Sequence, residues 1–231
     1  METNKIICAD SLEFMATLPD GCIDLIVTDP PYGINVVKAK TIGGDKPFGS
    51  IRGKGIVKAN KYEPIINDDI KIDFTEIFRV SKNQIIFGAN YFKLPISKGW
   101  IVWDKKLKND WNDNFSDGEL VWTSFDRPLK IYRYLFMGLM KKDKTEKRVH
   151  PTQKPVVLMQ WIIENYSNPT DIIFDPFAGS GSTLVAAERL GRYWIGCDLS
   201  EEYCAIARER IHNERNGRLF DPYEMEVKDE M

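Results

Sequence analysis

Residues 172–191 read IIFDPFAGSGSTLVAAERLG. The apolar run closing on Asp175 predicts a buried strand, the small residues at 178–182 a tight turn, and the remainder an amphipathic helix. Glycines in such a turn let the backbone approach a ligand closely, and the helix that follows offers unpaired N–H groups and a partial positive charge. A second strand, WIGCDLS at 194–200, ends in Asp198 about 20 residues further on, where a carboxylate can accept both hydroxyls of a ribose. Strand, turn, helix and acid together predict a nucleoside-containing cofactor. The turn does not read G-x-G-x-x-G, which argues against a nicotinamide or flavin site.

Working outward, short apolar runs alternate with helical patterns, the signature of an α/β sheet. Strands are expected at KIICAD (5–10), IDLIVTD (23–29), NQIIFGA (83–89), GWIVWDK (99–105) and GELVWTSF (118–125), as well as the two already named. Helices are expected at SLEFMATL, FTEIFRVS, KPVVLMQWIIENYS (154–167) and EEYCAIARERIHNERN. The stretch 35–67 is too long for an ordinary connection, and its glycines and lysines predict a mobile basic lid. The chain is expected to form a single domain over 1–231.

The strand at 23–29 runs into TDPPYGI, residues 28–34. Prolines end strands routinely, so Asp29-Pro30-Pro31-Tyr32 could be punctuation alone. A chemical reading also exists. An acid fixed beside a rigid carbonyl makes a pair of hydrogen-bond acceptors, and a tyrosine beside them offers an aromatic face.

Composition narrows the field. With 231 residues, 43% of them hydrophobic, the chain can build a substantial core. No run approaches the roughly 20 apolar residues of a membrane span, and the N-terminus lacks a signal-peptide pattern, so a cytoplasmic location is expected. Four scattered cysteines and two histidines, without a C-x-x-C pair, predict neither disulfides nor a metal site. Cys8 and Cys197, inside apolar runs, are expected to be buried.

The net charge of −2 hides a sorted distribution. Residues 36–61 carry seven basic groups, among them Lys38, Lys40, Arg52, Lys54 and Lys58, against one acid. Residues 127–148 carry eight, among them Arg127, Lys130, Arg133, Lys141 and Lys142, against two acids. Two positive surfaces on an acidic body suit a polyanionic partner.

The order Asp-Pro-Pro-Tyr early, HPTQKP at 150–155 and FDPFAGSGST at 174–183 resembles the DNA amino-methyltransferases of the circularly permuted β group, in which the catalytic tetrapeptide precedes the cofactor turn. FGANYF, WIVWDK and FSDGELVWTS extend the resemblance over most of residues 5–210. It implies a class I methyltransferase fold, a Rossmann-like, doubly wound, mostly parallel sheet of seven strands. The cofactor implied is S-adenosylmethionine, with no metal. If the strands ending at Asp29 and Asp175 lie side by side where strand order reverses, tetrapeptide and cofactor turn share one crevice.

The resemblance further implies that Asp29, Asp175, Phe177, Ala178, Gly179, Ser180 and Gly181 surround the cofactor, that Asp198 holds its ribose, and that Asp10 lies near its adenine amine. Thr152 and Lys154 would meet its methionine carboxylate, while His150 shapes the turn. Asp29, Pro30, Pro31 and Tyr32 would form the catalytic tetrapeptide acting on an exocyclic amine of a base flipped out of duplex DNA. Asp at position 29 favours adenine N6, with cytosine N4 the alternative; an RNA or protein-amide substrate and an inactive DNA-binding module are the rivals. A cytosine-C5 enzyme needs a thiol nucleophile, typically in a Pro-Cys pair, and none of the four cysteines follows a proline. Only 126–149 remains for target recognition, a short basic segment, with Trp111 and Phe115 as further candidates for contact with bases. Whether a second copy of the chain or a cognate restriction endonuclease accompanies the protein is left open by the sequence.

Overall fold

The structure is a computed structural model that describes residues 1–33, 72–105, 116–137, 140–141, 149–150 and 152–217. The chain order is β1 (Lys5–Cys8), α1 (Ser11–Ala16), β2 (Ile23–Thr28), α2 (Thr75–Val80), β3 (Ser81–Phe87), β4 (Trp100–Asp104), β5 (Gly118–Thr123) and β6 (Lys130–Arg133). There follow β7 (Phe136–Met137), β8 (Met140–Lys141), α3 (Val156–Tyr166), β9 (Ile172–Asp175), α4 (Ser182–Arg189), β10 (Tyr193–Asp198) and α5 (Glu201–Gly217). Every strand and helix expected from apolar patterning forms. The expected lid at 35–67, Trp111, Phe115, Lys38, Lys40, Arg52, Lys54, Lys58 and Lys142 lie outside the described residues, as does the side chain of Lys141.

Eight strands form one sheet in the order β1-β10-β9-β2-β3-β5-β4-β6. β5 runs antiparallel to both neighbours, and every other pairing is parallel. The sheet is thus mostly parallel and doubly wound, with one strand more than expected. The addition is β6, which pairs with β4 from Ile101↔Lys130 to Asp104↔Arg133 and makes the sheet edge. Its residues are mostly exposed, so it carries none of the apolar signal that marks the inner strands.

Successive side chains of the inner strands point to opposite faces, and each face has its own core. Leu25, Val27, Ile85 and Phe87 pack with α3 and α4 on one side; Ile26, Ile86, Phe174 and Ile195 pack with Met15, Ile77 and Val80 on the other. At the opposite edge β1 is only partly covered. Its last residue, Cys8, is therefore exposed rather than buried as expected, whereas Cys197 on the interior strand β10 is buried. No described helix is long and apolar enough to cross a membrane.

β2 and β9 are neighbours, in register at Leu25↔Ile173 and Ile26↔Phe174. From β2 the chain continues outward to β3, and from β9 it continues in the other direction to β10. This divergence is the switch point of the sheet, and a crevice opens beyond the carboxyl ends of the two strands there.

Candidate active site

Asp175 closes β9 and is 3% exposed. Its carboxylate accepts hydrogen bonds from the Thr28 hydroxyl (2.8 Å), the Thr183 hydroxyl (2.6 Å) and the Phe177 N–H (3.1 Å). Burial pushes its pKa up to about 6, against these donors. One acid thereby ties the end of β2, the turn at 177–181 and the start of α4. It braces the turn from beneath.

The turn closes at Gly181, whose φ of +79° is unfavourable for any residue with a Cβ; a methyl there would also sit 2.8 Å from Ala207 Cβ. The position serves both the left-handed conformation and the approach of α5. From α5, Arg210 reaches back to the turn, its guanidinium donating to the Ser180 carbonyl (2.7 Å) and hydroxyl (3.0 Å) and to the Ser182 hydroxyl (3.3 Å). Asp198, at the end of β10, accepts the Gly179 N–H (2.7 Å) and the Ser200 N–H (2.9 Å), and burial raises its pKa. Its carboxylate thus fixes the turn as well as ending the strand.

One cavity is lined by Phe177, Ala178, Gly179 and Ser180 on the turn, by the tetrapeptide Asp29-Pro30-Pro31-Tyr32, and by Thr152 and Lys154. The structure brings together most of the residues singled out from sequence. Gly181 and Asp198 stand behind the turn rather than on the cavity wall. Asp10 does not line it either; its carboxylate caps α1, accepting the Leu12 N–H (2.8 Å) and Glu13 N–H (3.2 Å). Asp10 and Asp198 nonetheless lie at the same end of adjoining strands, where the Ala9 N–H donates to the Asp198 carbonyl at 3.1 Å. His150 accepts the Thr152 N–H on Nδ1 (3.2 Å) and packs edge-on against Tyr203, a turn-shaping arrangement.

The tetrapeptide is held by polar and aromatic partners that sequence patterning did not identify. Asp29 Oδ1 accepts from the Tyr32 hydroxyl at 2.6 Å, and Asp29 Oδ2 accepts from Lys154 Nζ. Lys154 Nζ also lies 3.3 Å from Glu119 Oε2, and Lys105 Nζ donates to Glu119 Oε1 at 2.5 Å. Lys154, expected to meet the cofactor's carboxylate, lines the cavity and lies between two acids. Burial alone would lower its pKa, yet Asp29 and Glu119 together hold it above the ordinary value. Burial and the Glu119 charge raise Asp29 despite the lysine, whereas Glu119, flanked by two ammonium groups, is held low despite its own burial.

Tyr32 stacks on the half-exposed Tyr91, with centroids 4.8 Å apart and planes at 15°, and meets Phe92 edge-on. Burial, reinforced by the Asp29 carboxylate, keeps its phenol protonated well beyond neutral pH. Gly88, at φ +66°, makes room for the ring: a Cβ there would lie 2.2 Å from Tyr32 Cε1. The aromatic surface expected at Tyr32 is thus shared with Tyr91.

Of the candidate DNA-contacting residues, Arg127, Lys130 and Arg133 are described and exposed. Arg127 donates to the Asn165 carbonyl (2.8 Å) and lies over the rings of Phe125 and Tyr166, and Arg133 pairs with Asp104 (3.1 Å). Both have structural partners. Lys130 stands on the exposed edge strand.

Comparison with known proteins gives this geometry a setting. The sequence profile of a family described as DNA methylase, of N6/N4 type, matches residues 56–209. A protein of Escherichia coli (strain K12) named as a methylase, YubD, is 31% identical over 230 residues, covering 90% of each chain. The crystal structure of an M1.HpyAVI–S-adenosylmethionine complex superposes with a TM-score of 0.53 at 22% identity, covering 89% of this chain and 98% of that one. The PvuII DNA methyltransferase, titled cytosine-N4-specific, superposes with a TM-score of 0.57 at 18% identity, covering 91% and 86%.

Proposed function

Because the chain belongs to the N6/N4 DNA methylase family, whose methyl donor is S-adenosylmethionine, we propose that it methylates the N6 amine of adenine in duplex DNA. The observation that carries this reading is the junction of β2 and β9, which sets the Asp29 carboxylate and the turn at 177–180 on the walls of one cavity. The cavity lining fits the cofactor: an aromatic ring at Phe177 and a backbone turn at Ala178–Ser180, held in place from behind by Asp198. When bound, the cofactor supplies a methyl group on a positively charged sulfur, already activated for direct attack.

The chain's own task is to sharpen and aim the nitrogen. An exocyclic amine is a poor nucleophile because its lone pair is delocalised into the ring. Asp29 accepts one amine hydrogen and the Pro30 carbonyl the other, drawing the nitrogen toward tetrahedral geometry. Pro30 and Pro31 fix both acceptors in advance, so the gain is orientation and electrostatics. Tyr32 and Tyr91 offer aromatic surface for a base taken out of the helix, where stacking contributes about 1–3 kcal/mol per base. Lys130, and the basic residues at 36–61 and 141–148, supply phosphate contacts that position DNA without reading its sequence.

Aspartate at the head of the tetrapeptide favours adenine. Cytosine N4 is the second reading, favoured by the likeness in fold to a methyltransferase titled cytosine-N4-specific. Incubation with labelled S-adenosylmethionine and duplex DNA of mixed sequence, followed by nucleoside analysis, separates the two. N6-methyladenine is expected; N4-methylcytosine would promote the alternative, and no methylated base would overturn both.

A further inference from the structure

Both oxygens of Asp29 already have donors, the Tyr32 hydroxyl on Oδ1 and the Lys154 ammonium on Oδ2. An ammonium on a carboxylate oxygen withdraws the electron density that an incoming N–H needs. A carboxylate oxygen has room for a second donor, so Oδ2 can receive an amine hydrogen, and it is the stronger acceptor when Lys154 swings aside. At 7% side-chain exposure the lysine cannot retreat into water without a costly rearrangement, so a second buried anion is required.

Glu119 meets that requirement. It lies on β5, in register with Trp103 of β4, so its backbone is fixed by the sheet. Lys105 anchors Oε1 at 2.5 Å, leaving Oε2 as the oxygen directed at Lys154. That oxygen is buried, lies 3.3 Å from Nζ, and receives no hydrogen bond among the described residues. This acceptor is already in ion-pair range of Nζ, so a small swing of the ammonium tightens the contact into a well-aligned hydrogen bond. The Phe87 ring, with its centroid 5.3 Å from Nζ, flanks the cation. Two acids and two lysines make the group neutral, and a swing of this size leaves Nζ near Asp29 while its contact with Glu119 tightens.

We propose that Glu119 is a positioning residue for methyl transfer: it draws Lys154 toward itself as the target amine enters, leaving Asp29 the stronger acceptor for the amine hydrogen. The proposal rests on the amino-methyltransferase reading given above. The lysine keeps its proton throughout, and the cofactor need not touch Glu119.

Glu119→Gln tests this in single-turnover assays with duplex DNA and labelled S-adenosylmethionine, alongside calorimetric measurement of cofactor Kd. The transfer rate is expected to fall at least tenfold while Kd changes less than twofold, a split that general loosening of the site would not produce. Because Glu119→Gln leaves Lys105 without its partner and could destabilise the fold, K105M/E119Q, which removes one charge of each sign, is measured beside it. The double variant is expected to melt near the wild-type temperature and to show the same slow step. A rate within twofold of wild type in either well-folded variant, or a loss confined to Kd, overturns the role of Glu119 while leaving the parent reading intact. Absence of any methylated base from the wild-type protein in the same assay overturns both.

Discussion

The hydroxyl of Thr28, the last residue of β2, donates to the carboxylate of Asp175, the last residue of β9, at 2.8 Å. This bond couples the strand leading to the Asp29–Tyr32 tetrapeptide to the strand leading to the glycine turn at 177–181. Thr28→Val keeps the shape and removes the donor, leaving a buried carboxylate under-satisfied. Stability is expected to fall by about 1–3 kcal/mol, read from urea unfolding.

Asp175 also makes stability depend on pH. Its carboxyl titrates at about 6 in the folded chain, raised by burial from an ordinary 3.8. Between these values the folded state binds more protons than the unfolded state, so the contribution is fully present below pH 3.8 and is lost as pH rises to 6. The loss amounts to at most about 3 kcal/mol. Denaturant unfolding from pH 4 to 7 should show this component in the wild type and its absence in Asp175→Asn.

Removal of the proposed acceptor should separate chemistry from binding. Asp29→Ala is expected to lower turnover by about 10²–10³-fold, the usual cost of deleting one preorganised electrostatic partner. Cofactor binding, measured by calorimetry, should persist, because the turn at 177–181 is braced by Asp175, Asp198 and Arg210 independently of Asp29. Unchanged turnover would sink the role given to Asp29.

Arg210→Met tests that bracing from the other side. It removes the contacts to Ser180 and Ser182 without touching the tetrapeptide. Charge-assisted hydrogen bonds contribute about 1.5–3 kcal/mol, so cofactor Kd is expected to rise about tenfold or more, with a smaller change in single-turnover rate at saturating cofactor.

Gly88→Ala addresses the aromatic wall. The new methyl would meet Tyr32 at 2.2 Å on a backbone at φ +66°. A stability loss of about 1–3 kcal/mol is expected from the strained conformation alone. Methyl transfer should fall with it as Tyr32 leaves Tyr91 and Asp29, visible as a change in tyrosine fluorescence alongside the rate.

The sequence by itself determined the α/β class, the position of every interior strand and helix, the glycine-rich turn at 178–182 and the rigid tetrapeptide at 29–32. These features are local: apolar runs, glycine-rich turns and prolines act on their immediate neighbours. The edge strand β6 escaped notice because its mostly exposed KIYR gains strand character only by pairing with β4. Only the tertiary structure decided how Lys154 is used, since its partner Asp29 lies 125 residues away and Glu119 comes from β5. Ion pairs among buried groups depend on distance and desolvation in three dimensions, and residue patterning along a chain records neither. For the same reason Asp175 could be identified as a strand-ending acid, but its work of joining β2 to the turn appears only once β9 is laid beside β2.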